Sequence, residues 1–336
     1  MNLYYSIQYL LYGFLGFIYS YNANVKTNSY ISNNYLYNNF NDLTNINKKI
    51  IYYDLKKTSL LSKMIYDIDM ENIDSKSDKI VEKYIENANV ILKYLDQKQF
   101  FKNNDIYNKL LYNYFPSKDI IGFFNHHKIY SIILLDHQKK EINTIFRGSN
   151  YIDEWIQNLN LFETNLDFCP EYKIHSGIYN MYKYENSDKI IINILKKIFV
   201  EYPNYKKIFC GHSKACCNSI LTAFQILNDK EFMKNLIHKE LTVYCYGSPP
   251  IFNLELAEKI FHTPYLNIFN VINETDIIPN LPYKYHVGNE VFINKKNIII
   301  NNKMNPYKYD NIHYNTIFEG ISNHDLNKYI DNIINF

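Results

Sequence analysis

The chain has 336 residues, 36 basic and 34 acidic, a formal net charge of +2 and 47% hydrophobic residues. That is enough apolar material for one large core or two small ones, while the balanced charge excludes the basic footprint of a nucleic-acid binder, and no basic run with interleaved aromatics occurs. Five cysteines (Cys169, Cys210, Cys216, Cys217 and Cys245) without a C-x-x-C pair argue against a disulfide framework and against a zinc site.

Met1 to Val25 carries no charged side chain, and Leu10, Leu11, Phe14, Leu15, Phe17 and Ile18 form an apolar stretch within it. Residues 1–20 read as a signal peptide with Ser20 as a cleavage point, or, because Lys and Arg are missing from the n-region, as a plain apolar amino-terminal segment. The first reading implies secretion or an endomembrane lumen, the second an intracellular protein. The stretch is short for a spanning helix. Residues 21–48 are rich in Asn and Tyr, without apolar periodicity, and read as a linker. The remainder, 49–336, reads as one domain without internal repeats.

Within that domain the apolar spacing predicts helices over 50–65 and 78–96, the latter with Ile80, Val81, Tyr84, Ile85, Ala88, Ile91, Leu92 and Leu95 on one stripe. Ile129 to Leu135 and Ile142 to Phe146, separated by the polar run Asp136 to Glu141, predict a β-hairpin. A helix is expected from Ile174-His175-Ser176-Gly177 to about Val200, ended by Pro203. Further strands are expected at 207–210, 241–246 and 267–272, with helices at 253–262 and after His324. Strands alternating with helices after residue 170 imply an α/β fold with a mostly parallel central sheet and helices on both faces.

Between the strand at 207–210 and the apolar helical pattern Ile220, Leu221, Phe224 and Leu227 lies Gly211-His212-Ser213-Lys214-Ala215. Strand, tight turn and helix is the setting of a nucleophile elbow, in which a serine stands exposed on a sharp corner. The usual G-x-S-x-G ends here in Ala215, a position that must be small because helix and strand backbones approach closely. Cys216 and Cys217 follow where small residues are usual.

FRGS at 146–149, IHSG at 174–177, GHSKA at 211–215, YGSP at 246–249, Asp276-x-x-Pro279, HVG at 286–288 and a late histidine occur in this order. The set resembles the class 3 (fungal triacylglycerol lipase-like) lipases of the α/β hydrolases, over about residues 120–335. The resemblance implies an α/β-hydrolase fold and a serine hydrolase cleaving carboxylic esters of lipids at a membrane or droplet interface, without metal or cofactor. It implies Ser213 as nucleophile, Asp276 as the acid and His324 as the base, in the chain order this fold uses. It further implies Ser149 and Lys214 as main-chain donors of the oxyanion hole. The segment 150–161 matches an amphipathic lid, with Tyr151, Ile152, Trp155, Ile156 and Leu159 on one face. Trp155 also fits a core aromatic. The Lys214 side chain is expected to point to solvent; the other reading is a cation beside the site that favours acidic lipid head groups.

His313 is the competitor for the base and Asp310 for the acid. His175 and His212 are expected to support the site by hydrogen bonds, and His286 to stand outside it. The sequon Asn273-Glu274-Thr275 is expected to be unused, because a glycan there would crowd Asp276. Phospholipase A-type hydrolysis, a small-ester carboxylesterase and a catalytically weakened binding module on the same scaffold are the alternatives. The last is motivated by Ala215, Cys216 and Cys217.

Overall fold

The computed structural model describes residues 45–67, 119–126, 129–148, 162–273, 275–281, 285–295, 298–301 and 317–335. The amino-terminal segment 1–20, nearly all of the linker 21–48, the helix expected at 78–96, Ser149, the segment 150–161, Asp310 and His313 lie outside these residues.

Eight strands form one sheet in the order β1 (Asp119–His126), β2 (Ile129–Asp136), β3 (Glu141–Phe146), β6 (Lys206–His212), β7 (Leu241–Tyr246), β8 (Leu266–Asn273), β9 (Asn289–Ile293) and β10 (Ile298–Asn301). The predicted hairpin is β2–β3, with Ile132 opposite Ile145. From β3 to β9 every pairing is parallel, and antiparallel pairs stand at both edges. A separate ribbon, β4 (Glu163–Leu166) and β5 (Cys169–His175), was not expected from the sequence. Its strands are mostly polar and partly exposed, so they lack an apolar alternation to reveal them.

Eight α-helices accompany the strands among the described residues. They are α1 (Asn45–Asp67), α2 (Ser176–Tyr182), α3 (Ser187–Glu201), α4 (Lys214–Asn228), α5 (Lys230–Lys234), α6 (Leu254–Phe261), α7 (Ile317–Ser322) and α8 (Leu326–Ile334). The helix expected from 176 to about 200 is broken into α2 and α3. Glu185 and Asn186 adopt φ of 52° and 59° at the break, left-handed values that an α-helix cannot carry through.

Alternation along the strands sends side chains to two cores. Phe146, Phe209, Val243 and Cys245 face α2, α3, α4 and α6 in one buried cluster. Ile145, Ile208, Cys210, Tyr244, Tyr246 and Val271 face α1 and α8 in the other. Helices therefore cover both faces, as expected. Among the described residues no helix is long and apolar enough to cross a membrane.

Candidate active site

Ser213 sits at the corner between β6 and α4. Its φ of 61° and ψ of −131° lie in a region that a non-glycine residue enters only under constraint. Two backbone bonds hold it there: the Ser213 amide donates to Tyr246 O at 2.8 Å on the neighbouring strand, and its carbonyl accepts from the Cys216 amide at 3.0 Å. The close approach inferred from the sequence is present. A Cβ placed on Gly211 would lie 2.6 Å from the Ala215 methyl, so the bare glycine makes the room that Ala215 occupies.

The cysteines after it pack inward. Cys216 and Cys217 are fully buried, and the Cys216 thiol lies 3.2 Å from Gly211 O and 3.4 Å from Tyr246 O. Burial pushes both thiols well above the usual range, with neighbouring cysteines adding to the effect. They remain protonated at neutral pH and do not compete with the serine as nucleophiles. All five cysteines are free and buried.

Lys214 opens α4, and a first-turn amide points out of the end of a helix. Its side chain is buried, contrary to the solvent-directed expectation, because the whole first turn of α4 is packed into the protein.

His324 lies in the turn between α7 and α8 and is only 3% exposed. Its Nδ1 bonds Asp276 Oδ2 at 2.7 Å. Asp276, 1% exposed, also accepts from Tyr329 Oη at Oδ2 and from the Ile278 amide at Oδ1, 2.8 Å. Burial and the Asp276 charge push the Tyr329 phenol well above its ordinary range, so it stays a donor. With the carboxylate accepting at that side, His324 carries its proton on Nδ1 and its lone pair on Nε2. Nε2 is buried and has no hydrogen-bond partner among the described residues.

The loop before the acid and the turn bearing the histidine are stapled together. Asn273 Nδ2 donates to Asn323 O at 3.2 Å, and Asn323 Nδ2 to Thr275 O at 3.5 Å. Asn273 is thereby committed and 5% exposed, in keeping with an unused sequon.

Gly247, at φ +62°, closes the site from β7. A Cβ there would lie 2.9 Å from His324 Cε1 and 3.0 Å from Asp276 Oδ2. No L side chain fits this position, and the glycine follows Tyr246, to which Ser213 is bonded. The corner serine and the acid–imidazole pair thus meet at one end of β6, β7 and β8.

Of the two histidines expected to support the site, His212 contacts it, whereas His175 is seen at the start of a helix. His212 Nε2 bonds the His324 carbonyl at 2.8 Å, and His175 Nδ1 caps α2 through the Ile178 amide at 3.4 Å. His286 is bonded to Pro279 O at 2.6 Å, and burial lowers its pKa to about 4. Sequence reasoning missed Tyr329 and left Gly247 without a role. The late tyrosine has no local signal, since only the packing of α8 brings it to Asp276. Gly247 had one: it is among the few glycines of a glycine-poor chain.

Residues 144–286 match the family model described as lipase (class 3). A lipase of Rhizomucor miehei is 29% identical over 161 residues, covering 46% of this chain and 42% of that protein. Secreted mono- and diacylglycerol lipase A of Penicillium cyclopium is 27% identical over 169 residues, covering 49% of this chain and 52% of that protein. The chain spans about half the length of the curated relatives it matches. The native propeptide complex of Rhizomucor miehei lipase superposes with a TM-score of 0.58 at 18% identity, covering 88% of this chain and 83% of that one. The superposition shows a shared α/β-hydrolase fold, and the matches show that residues 144–286 are similar to the class 3, fungal lipase-like family.

Proposed function

We propose that the protein is a serine hydrolase of lipid carboxylic esters, with Ser213 as nucleophile, His324 as base and Asp276 as the group that orients the base. One observation carries this reading: His324 is locked by Asp276 through Nδ1 while Nε2, buried and without a partner among the described residues, is left to take a proton at the end of the strands that bears Ser213. Nε2 accepts the Ser213 proton as Oγ attacks the ester carbonyl, then returns it to the departing alcohol. Water repeats the sequence on the acyl-enzyme and releases the fatty acid. The tetrahedral oxyanion is held by main-chain amides, assigned to Ser149 and Lys214. Each such donor contributes roughly 3–4 kcal/mol to the transition state.

Lipid is the substrate class because the relatives matched are named as lipases and because 150–161 carries an amphipathic pattern suited to covering an apolar site. Triacylglycerol or diacylglycerol at a membrane or droplet surface is the substrate proposed. Export is proposed from the uncharged apolar start of the chain and from a relative named as secreted. A weakened elbow has less support, since Gly211 makes room for Ala215 and the neighbouring thiols are buried and protonated.

A fluorophosphonate probe tests the chemistry. Labelling of wild type that disappears in Ser213→Ala supports it; a folded wild type that takes no label, with or without detergent, sinks it. Emulsified long-chain against soluble short-chain esters then separates a lipase from a small-ester carboxylesterase, and release of acyl chains from phosphatidylcholine vesicles marks the phospholipase A alternative.

A further inference from the structure

We infer that Tyr66, at the end of helix α1, is a positioning residue for the base: acting through His212, it holds the turn that carries His324, so that α1 is part of the active site. The inference rests on the assignment of His324 as base. Tyr66 stands far outside the matched stretch 144–286, and nothing in its local sequence points to catalysis.

A two-step chain of hydrogen bonds connects Tyr66 to the base. His212 Nε2 lies 2.8 Å from the main-chain oxygen of His324. A carbonyl can only accept, so His212 carries a proton on Nε2. Burial, with the neighbouring His324 as a further cause, holds the His212 pKa well below the usual value, so the ring is neutral and its Nδ1 bears a lone pair. Tyr66 Oη lies 3.2 Å from that Nδ1. Burial holds the phenol above its ordinary range, so Tyr66 donates its proton and thereby selects the His212 tautomer that grips His324. The two imidazoles pack with centroids 4.5 Å apart at 32°, and the Tyr66 ring meets His212 edge-on at 5.9 Å. Rotation of His212 would break the hydrogen bond and both ring contacts.

The other side of the Tyr66 hydroxyl lies against Gly148. A Cβ on Gly148 would collide with Tyr66 Oη and stand 2.6 Å from His212 O. The residue that precedes Ser149 is therefore shaped around this tyrosine.

Helix α1 is fixed well enough to aim it. Lys57, fully buried, bonds Glu141 at 2.8 Å and Asp54 at 3.2 Å, pinning the helix near the start of β3. Tyr246 Oη donates to Leu55 O at 2.7 Å, and Leu60, Leu61, Met64 and Ile65 are buried in the core beneath. Tyr66 follows this anchored stretch at the opposite end of the strands, where β3 and β6 deliver Gly148 and His212.

The test uses the full chain and a p-nitrophenyl ester, with kcat, KM, phosphonate labelling and thermal melting measured for each variant. Tyr66→Phe keeps the ring and loses the hydroxyl. It is expected to lower kcat about tenfold with KM changed less than about twofold, as for a misplaced base, and with little change in melting. His212→Gln, which can retain a donor near Nε2, should keep more activity than His212→Phe, and Tyr66→Phe should add nothing to the loss in His212→Phe. Wild-type kcat in Tyr66→Phe, or a loss that adds in full to that of His212→Phe, overturns the inference while the assignment of the reaction stands. A wild type that neither turns over ester nor takes the phosphonate overturns both. Should Tyr66→Phe melt early, equal activity of His212→Gln and His212→Phe overturns the inference by itself.

Discussion

The two faces of the sheet are built from different materials. Under α4 the packing is mainly apolar, with Phe224 fully buried and set edge-to-face against Phe168 at 5.8 Å, and its polar ties are neutral ones such as Tyr182 to Thr222 at 3.2 Å. Under α1 and α8 apolar contacts alternate with polar ties: Lys57 to Glu141 and Asp54, Tyr244 to Asp54, Tyr66 to His212, Tyr329 to Asp276. The first face sets the serine, because α4 begins at the strained corner and is held by volume-filling contacts. The second surrounds the imidazole. Dispersion and hydrophobic burial fix where a helix lies but are indifferent to small rotations, whereas hydrogen bonds fix direction. A strained corner can be held by bulk packing. An imidazole that must present one nitrogen needs directional bonds.

The comparison breaks most visibly through activity. Asp276→Asn should leave the apolar face and Ser213 in place, yet lower kcat about ten-thousandfold by favouring the wrong imidazole tautomer, measured by ester turnover with melting as the control. Next come two stability losses of similar size and different cause. Phe224→Ala should cost about 3–5 kcal/mol through a cavity, and Lys57→Met about 3–5 kcal/mol by leaving Asp54 and Glu141 buried without their cation, both read by urea denaturation. Adding Asp54→Asn and Glu141→Gln to Lys57→Met should restore part of that loss. A charge network can be neutralised; a cavity cannot, and full restoration or none at all would redraw the contrast between the faces.

Glu290 on β9 is an exception on the apolar side. Its neighbours Val291 and Ile293 face α1 and α8, so alternation turns it the other way, where it is 2% exposed and its Oε1 has no partner among the described residues. Burial pushes its pKa up from 4.5 to about 8. Between those values the folded chain holds a proton that the unfolded chain has released. Stability should therefore fall as pH rises through this window, by up to about 1.4 kcal/mol per pH unit, and the slope should flatten in Glu290→Gln when denaturation midpoints are compared from pH 5 to 8. The smallest effect is expected at the surface. Lys183→Ala removes a partly exposed bridge to Asp167, 3.2 Å, and should change stability by less than about 1 kcal/mol.

Strands β2, β3, β6, β7 and β8 were legible because each is a short apolar run bounded by polar or small residues, a signal written within a few residues, whereas β1 was not expected. The elbow was legible for the same reason: Gly211, Ser213 and Ala215 are neighbours in sequence as well as in space. The β4–β5 ribbon was not, since its exposed polar strands carry no periodic signal. Nor was the break between α2 and α3, because Glu185 and Asn186 occupy left-handed conformations that their residue types do not demand.

What the sequence determined by itself was local: the central strands and most of the helices that follow them, the small residues at the corner, and Ser213, Asp276 and His324 as candidates in a recognisable order. The tertiary structure decided which long-range partners each of them meets. That the His324 ring is held by Asp276, its carbonyl by His212, and His212 in turn by Tyr66 depends on segments separated by 48, 112 and 146 residues. Such partners leave no mark on local spacing, because hydrogen bonds across a sheet constrain position in space and not position along the chain.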